Sequence, residues 1–297
     1  MNRWTEVPVR QPDPVPAPWF TPREPLRSMA DLVLPAPVRG RIELALLQID
    51  YHEILYLKWN LKKIDPYRTG TAVNFYGPPG TGKSLAAEAI AHHRRSPFID
   101  VSYAEIESKY VGETPKNIVA CFRAAHDHNA VLVFNEADSI LGSRLSNVTQ
   151  SSDHSVNVSR AVMLSQLDAF RGLVIFTTNF PRNYDAAFVR RILVHVRFDL
   201  PDEQTRRTLW TVLVPAEIPG ASSLEVATLA ASSAGLSGGD IANVVKAGAA
   251  RAVARAGAGR VLRTDDLLAE IGAIRQARSE VGKSPADPAS GGPAVGG

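Results

Sequence analysis

The segment Gly77-Pro-Pro-Gly-Thr-Gly-Lys-Ser84 decides how this chain is read. It fits G-x-x-x-x-G-K-[ST], the pattern of a phosphate-binding loop, and it lies where that pattern requires, between a β-rich run and a helical pattern. The glycines let the backbone curl until its N–H groups converge on phosphate oxygens, and the start of the following helix adds partial positive charge. The cradle therefore comprises Gly77, Pro78, Pro79, Gly80, Thr81, Gly82, Lys83, Ser84 and Leu85. Lys83 is expected to reach the outer phosphates, and the Ser84 hydroxyl to hold Mg²⁺.

Outward from this loop the hydrophobic pattern is regular. Five short β-rich runs, Ala72–Tyr76, Phe98–Val101, Ala130–Phe134, Leu173–Thr177 and Val194–Phe198, alternate with helical patterns near Lys83–Arg94, Pro115–His126 and Val158–Phe170. The third and fourth runs are almost continuously apolar, as strands covered on both faces are. This alternation predicts an α/β fold with a doubly wound, parallel, five-stranded sheet. Arg41–Leu61 reads as a long amphipathic helix ahead of it. After Pro201 only helical patterns remain, at Gln204–Leu213, Leu224–Ala231, Gly239–Ala256 and Thr264–Arg278, so a smaller all-α lid domain is expected. The expected boundaries are a proline-rich arm over 1–40, the large α/β domain over 41–200, the lid over 201–280 and a disordered Gly/Pro/Ala tail over 281–297. Nine of the 21 prolines fall within residues 1–40, seven of them between Val7 and Pro25, which forbids helix and favours an extended arm, either loose or docked.

A nucleotide hydrolase also needs a metal contact and a group to position water at a neighbouring strand end. Val131-Leu-Val-Phe-Asn-Glu-Ala-Asp138 ends in Asn135 and Glu136. Glu136 is the candidate to polarise the attacking water. Asn135 stands where a carboxylate is expected; its amide oxygen accepts a hydrogen bond from metal-bound water but brings no charge to the ion, which predicts weaker Mg²⁺ coupling and slower turnover. Asp138 is expected to orient local backbone. Ligands sit at the carboxyl ends of the strands of such a sheet, so Asn179, ending Ile175-Phe-Thr-Thr-Asn179, is expected beside Glu136.

These segments, with Asp185-Ala-Ala-Phe-Val-Arg-Arg191 and Gly235-Leu-Ser-Gly-Gly-Asp-Ile241, follow in the order and spacing of an AAA+ ATPase, which the chain resembles over about residues 41–255. The likeness is to the branch that includes protein unfoldases and remodelling ATPases. It implies ATP and Mg²⁺ as ligands, assembly into a ring, a hexamer by the family's habit, and a protein substrate or adaptor. It implies that Arg190 reaches the nucleotide of a neighbouring subunit, with Arg191 the nearest match to a second such arginine. An arginine finger of this kind is typically worth ~10³–10⁵ in rate. The resemblance further implies that Gly238 and Gly239 allow close approach to the adenosine, that Asp65–Tyr67 lies near the base, and that Lys109, Tyr110 and Val111 form a pore loop gripping an extended polypeptide. Gly142–Asn157 is read either as a second channel-facing loop or as a plain surface loop.

Composition closes off other classes. Apolar residues make up 45% and charged residues 21%, as in globular domains, and 33 basic against 30 acidic residues leave a net charge of +3, too balanced to make nucleic acid or an anionic membrane the main partner. Cys121 is the only cysteine, so no internal disulfide forms, and it reads as core. Prolines and charges stand where a secretion leader would need an apolar run, so a cytoplasmic setting is expected. His52-Glu53 lacks the second histidine of H-E-x-x-H, which excludes that zinc-protease signature. Three functions stay open at this stage: a protein remodeller, an ATP-gated switch or scaffold favoured by Asn135, and a nucleic-acid machine disfavoured by the charge balance and the aromatic pore loop.

Overall fold

The computed structural model describes residues 20–64, 70–107, 113–142, 151–179 and 184–280. Its elements in chain order are α1 (Ala36–Asp50), β1 (Thr71–Tyr76), α2 (Lys83–His93), β2 (Phe98–Ser102), α3 (Tyr103–Ile106), α4 (Glu113–Asp127), β3 (Val131–Asn135), α5 (Asp138–Leu141), α6 (Ser151–Ala169), β4 (Leu173–Thr178), α7 (Ala186–Arg191), β5 (Val194–Arg197), α8 (Glu203–Leu213), α9 (Val226–Ser232), α10 (Gly238–Val253) and α11 (Thr264–Glu280). The five strands form one parallel sheet in the order β2-β3-β4-β1-β5, so consecutive strands connect through crossover helices. The expected α/β class and all five expected strands are present.

The chain divides into two compact units. The first holds the sheet and the helices on it, with a core in which Phe134 stacks on Phe176 at 5.4 Å between centroids and Phe122 meets Phe170 edge-on at 5.3 Å. Burial of these rings on both faces explains why β3 and β4 are apolar at nearly every position. The second unit gathers Val33–Arg39, Pro78–Gly82 and the chain from Phe198 onward. Its core centres on Trp210, Leu229, Val244, Leu267 and Ile271. Two local signals set its helix starts: Asp202 accepts from Thr205 N at 2.7 Å ahead of α8, and Ser237 with Asp240 forms a reciprocal capping box at α10. Arg206, buried on α8, donates to the carbonyls of Ala230 and Pro201 and so satisfies its charge with backbone oxygens.

Two expectations need correction. The first helix begins at Ala36, not Arg41; its regular part ends at Asp50, and past Tyr51 the chain continues helically into a π-helical stretch at Ile54–Lys58. Leu57 and Trp59, apolar positions of the expected pattern, are 55% and 71% exposed, whereas Tyr56 in that stretch is buried. Residues Ser151–Asn157 belong to α6 and not to a loop, while 143–150 lie outside the described residues. Of the two readings of the arm, loose or docked, the described residues from 20 onward show the docked one. Phe20 is buried in the core of the first unit, and Arg23 exchanges two backbone hydrogen bonds with Phe98, 2.8 and 2.9 Å, along the otherwise free edge of β2.

Candidate nucleotide site

The loop between β1 and α2 has the backbone that its glycines foretell. Gly80 stands at φ +74°, a conformation strained for any other residue, and a Cβ there would lie 2.4 Å from Ser237 Oγ. Within the second unit, Gly80 O accepts from Gly239 N at 2.9 Å, and a Cβ on Gly239 would come within 3.2 Å of Gly80 Cα. Gly239 thus lets the start of α10 lie close against the loop backbone, whereas a Cβ on Gly238 would meet only ordinary contacts, the nearest at 3.6 Å. Thr81 Oγ1 donates to Pro78 O at 2.8 Å and fixes the turn from inside.

Lys83 opens α2 with its side chain buried, its Nζ donating to Gly77 O at 2.8 Å. Burial drives its ammonium down to about 8, with the charge of Asp138 pulling the other way. Ser84 Oγ donates to Asn135 Oδ1 at 2.9 Å, and Thr177 Oγ1 donates to the same oxygen at 2.7 Å. Ser84 and Asn135 thus meet as two neutral oxygen donors, the ligand type a hard divalent cation takes. Among the described residues no group of three or more His, Cys, Asp and Glu side chains gathers to hold a metal alone. This donor set suits an ion that draws its remaining ligands from phosphates and water.

Glu136 leaves β3 with φ +54°, an uncommon conformation for a side-chain-bearing residue, and is exposed. Ala137 N donates to Thr177 O at 3.0 Å, and Asp138 Oδ2 accepts from Asn179 N at 3.2 Å, so the exits of β3 and β4 are tied together. Asp138 acts on backbone, as its position implied. Sequence reasoning missed Asp100 on β2. Its Oδ1 accepts from Asn135 Nδ2 at 2.5 Å and its Oδ2 lies 3.7 Å from Arg23 Nη2; burial lifts its carboxyl above the usual range against the pull of Arg23 and the hydrogen bond from Asn135. Thr177, quoted only as part of a strand end, was missed likewise.

Arg190 and Arg191 end α7 and part company there. Arg190 is exposed. Arg191 makes a bidentate pair with Asp168 at 2.8 Å for each bond and donates to Ala187 O. Cys121 is fully buried and its thiol is pushed up by burial, which leaves it as core. Lys109, Tyr110 and Val111, like Asp65–Tyr67, lie outside the described residues.

Strand, glycine loop and helix, with a second strand end meeting the first helical serine, define a P-loop nucleotide-binding domain. Residues 73–200 match the family model for "ATPase family associated with various cellular activities (AAA)". The chain is 33% identical to spastin of Drosophila willistoni over 179 residues, covering 58% of this chain and 22% of that protein. It is 33% identical to the 26S proteasome regulatory subunit 6B homolog of Encephalitozoon cuniculi over 183 residues, covering 59% of this chain and 44% of that one. It therefore spans less than half of either relative. The crystal structure of the FIGL-1 AAA domain superposes with a TM-score of 0.64 over 86% of each chain at 21% identity, a likeness of fold. The segment is an AAA ATPase domain, with homology to spastin and to proteasomal AAA subunits. Among the described residues no helix is long and apolar enough to cross a membrane.

Proposed function

We propose that this protein binds ATP with Mg²⁺ between the Gly77–Leu85 loop and the strand ends, and hydrolyses it within a homo-oligomeric ring to remodel or thread a protein substrate. The observation that carries the reading is the convergence on one Asn135 oxygen of Ser84, from the phosphate loop, and Thr177, from β4. The backbone amides of the loop and Lys83 Nζ bind the phosphates, and Nζ gives up its hydrogen bond to Gly77 O to do so. Ser84 Oγ, with Asn135 Oδ1 accepting a hydrogen bond from a metal-bound water, would hold the Mg²⁺, which would supply neutralisation of the charge building on the outer phosphates. Glu136 accepts the proton of the attacking water, and Asn179, its backbone fixed by Asp138, orients that water. Arg190 completes the site of a neighbouring subunit; Arg191 is engaged with Asp168 and takes part only if that pair opens. Gly238 and Gly239 carry the start of α10 against Gly80. Tyr110 and Val111, with Lys109 beside them, contact the substrate in the central channel. The hexamer and the protein client are supported by the family resemblance.

The test is steady-state ATP hydrolysis by wild type and Glu136→Gln across a range of protein concentrations. Glu136→Gln is expected to lower turnover by about 10²–10³ without abolishing ATP binding, and wild-type specific activity is expected to rise with concentration as subunits meet. Equal turnover in both proteins at a substantial rate refutes the role of Glu136. Equal turnover near background favours the second reading, an ATP-gated assembly switch, which Asn135 motivates by withholding a charge from the cation.

A further inference from the structure

The residue at 135 is an amide where the resemblance leads one to expect a carboxylate, and the surroundings of that amide are unusually well determined. Strands β2 and β3 run parallel with Ser102 opposite Asn135 and Asp100 opposite Val133, so Asp100 and Asn135 are diagonal neighbours on one face of the sheet. Asn135 Nδ2 donates to Asp100, and Asn135 Oδ1 accepts from Ser84 and from Thr177. Ser84 and Thr177 carry hydroxyls, which accept as readily as they donate, so neither dictates which end of the amide faces it. A carboxylate only accepts. Of the three partners, Asp100 alone decides that the nitrogen turns toward β2 and the oxygen toward Ser84.

The same contact explains why an amide is tolerated here. An aspartate at 135 would set two carboxylates within hydrogen-bonding distance, an arrangement opposed by their mutual repulsion. With asparagine at 135 the pair keeps one negative charge, displaced by one strand. That charge is accessible: a cleft of about 350 Å³ is lined by Ser84, Asp100 and Asn135 together with Glu88 and the arm residue Arg23. The second oxygen of Asp100 faces the largely exposed Arg23 at 3.7 Å.

We infer that Asp100 is the positioning residue of the cation site: it locks the Asn135 amide with its oxygen toward Ser84 and supplies, from β2, the negative charge that β3 lacks. The inference rests on the proposed reading in which Ser84 and Asn135 face the metal ion. Asp100 does not touch the nucleotide in this account; it acts through Asn135 and through its field.

The experiment is a Mg²⁺ titration of the binding of a fluorescent ADP analogue to the full chain, in wild type, Ser84→Ala, Asp100→Asn and the exchange variant Asp100→Asn/Asn135→Asp, with circular dichroism melts as the control for folding. Asp100→Asn is expected to raise the Mg²⁺ midpoint about tenfold, the scale for losing an outer partner of a metal ligand. The exchange variant restores the charge at 135 and an amide at 100, and is expected within about threefold of wild type. If Ser84→Ala raises the midpoint and Asp100→Asn does not, the inference is overturned and the cation site stands. If Asp100→Asn raises it and the folded exchange variant stays equally weak, Asp100 is structural only and the inference is again overturned. Nucleotide binding indifferent to Mg²⁺ in wild type overturns the site reading and the inference together.

Discussion

Replacing Phe20 with alanine measures how firmly the arm is fastened. The ring is 7% exposed and belongs to the core of the first unit, so its loss is expected to cost about 3 kcal/mol, near the lower end for a buried phenylalanine. Other contacts of the arm include the Arg23–Phe98 backbone pair, the Arg23–Asp100 ion pair, Glu88 Oε1 accepting from Leu26 N at 2.8 Å and Arg27 N at 3.2 Å, and the Ser28–Asp31 box. These contacts are peripheral, and the sheet beneath keeps its own core. The cost should therefore be felt as local detachment more than as global unfolding. An opening made easier by about 3 kcal/mol speeds amide exchange about 10²-fold at the affected positions. Arg23 N and Phe98 N should accelerate together, since each is bonded to the other residue, while amides in β3 and β4 should not. Hydrogen exchange resolved on peptides covering 20–32 and 94–102 reads this directly. Unchanged exchange at Arg23 and Phe98 in Phe20→Ala would refute the anchoring argument, and equal acceleration in β3 would refute its local character.

Two titrations test the electrostatics. Lys83 carries a depressed folded value of about 8, against about 10.4 in an unfolded chain. Being lowered in the fold, it makes the nucleotide-free protein more stable as pH rises from about 8 to about 10, and it weakens ADP binding over the same window as the ammonium is lost. ADP affinity followed from pH 6.5 to 9.5, with Lys83→Met as the flat control, should be level on the acid side and decline above about 8; a level profile throughout contradicts the assignment. Asp266 accepts from Arg255 Nη1 at 2.8 Å, Arg255 Nη2 at 2.6 Å and Arg263 N at 2.9 Å, and the Arg255 pair holds its carboxyl below the usual range. Its contribution is present above the unfolded value near 4 and lost as pH falls through the folded value. Melting midpoints of wild type and Asp266→Asn should differ at neutral pH and converge at a pH of about 2; a constant gap across that range sinks the argument.

The sheet was legible because a parallel strand covered on both faces must be apolar over its whole length, and Val131–Phe134 and Leu173–Phe176 are. The phosphate loop was legible because its glycines are required by backbone geometry. What could not be read was pairing at long range. Asp100 looks like the polar position of a half-buried strand, and nothing local announces that the β2–β3 register sets it diagonal to Asn135. Phe20 sits in a proline-rich stretch of sequence whose local message is an extended chain and which is silent on the β2 edge beside it. Residues 151–157, polar and serine-rich, were read by composition although the helix continues through them. In α7 the adjacent arginines are identical in sequence terms, and only Asp168, on α6, separates them.

The tie between β3 and β4 bears on how Glu136 and Asn179 act together. A residue in the left-handed region costs on the order of 1–3 kcal/mol and persists only where its surroundings fix it. Here the fixing bonds lie immediately beyond it: Ala137 N reaches across to Thr177 O, and Asp138 reaches across to Asn179 N. The turn that bends Glu136 out of β3 is therefore closed by β4, and the same bonds fix the backbone of Asn179. Neither residue can shift far without straining the other. Thr177 extends the linkage to Asn135 through its hydroxyl, and Ser84 carries it to the phosphate loop. A change in what occupies the loop thus has a bonded route, through Ser84, Asn135 and Thr177, to the strand ends that carry Glu136 and Asn179.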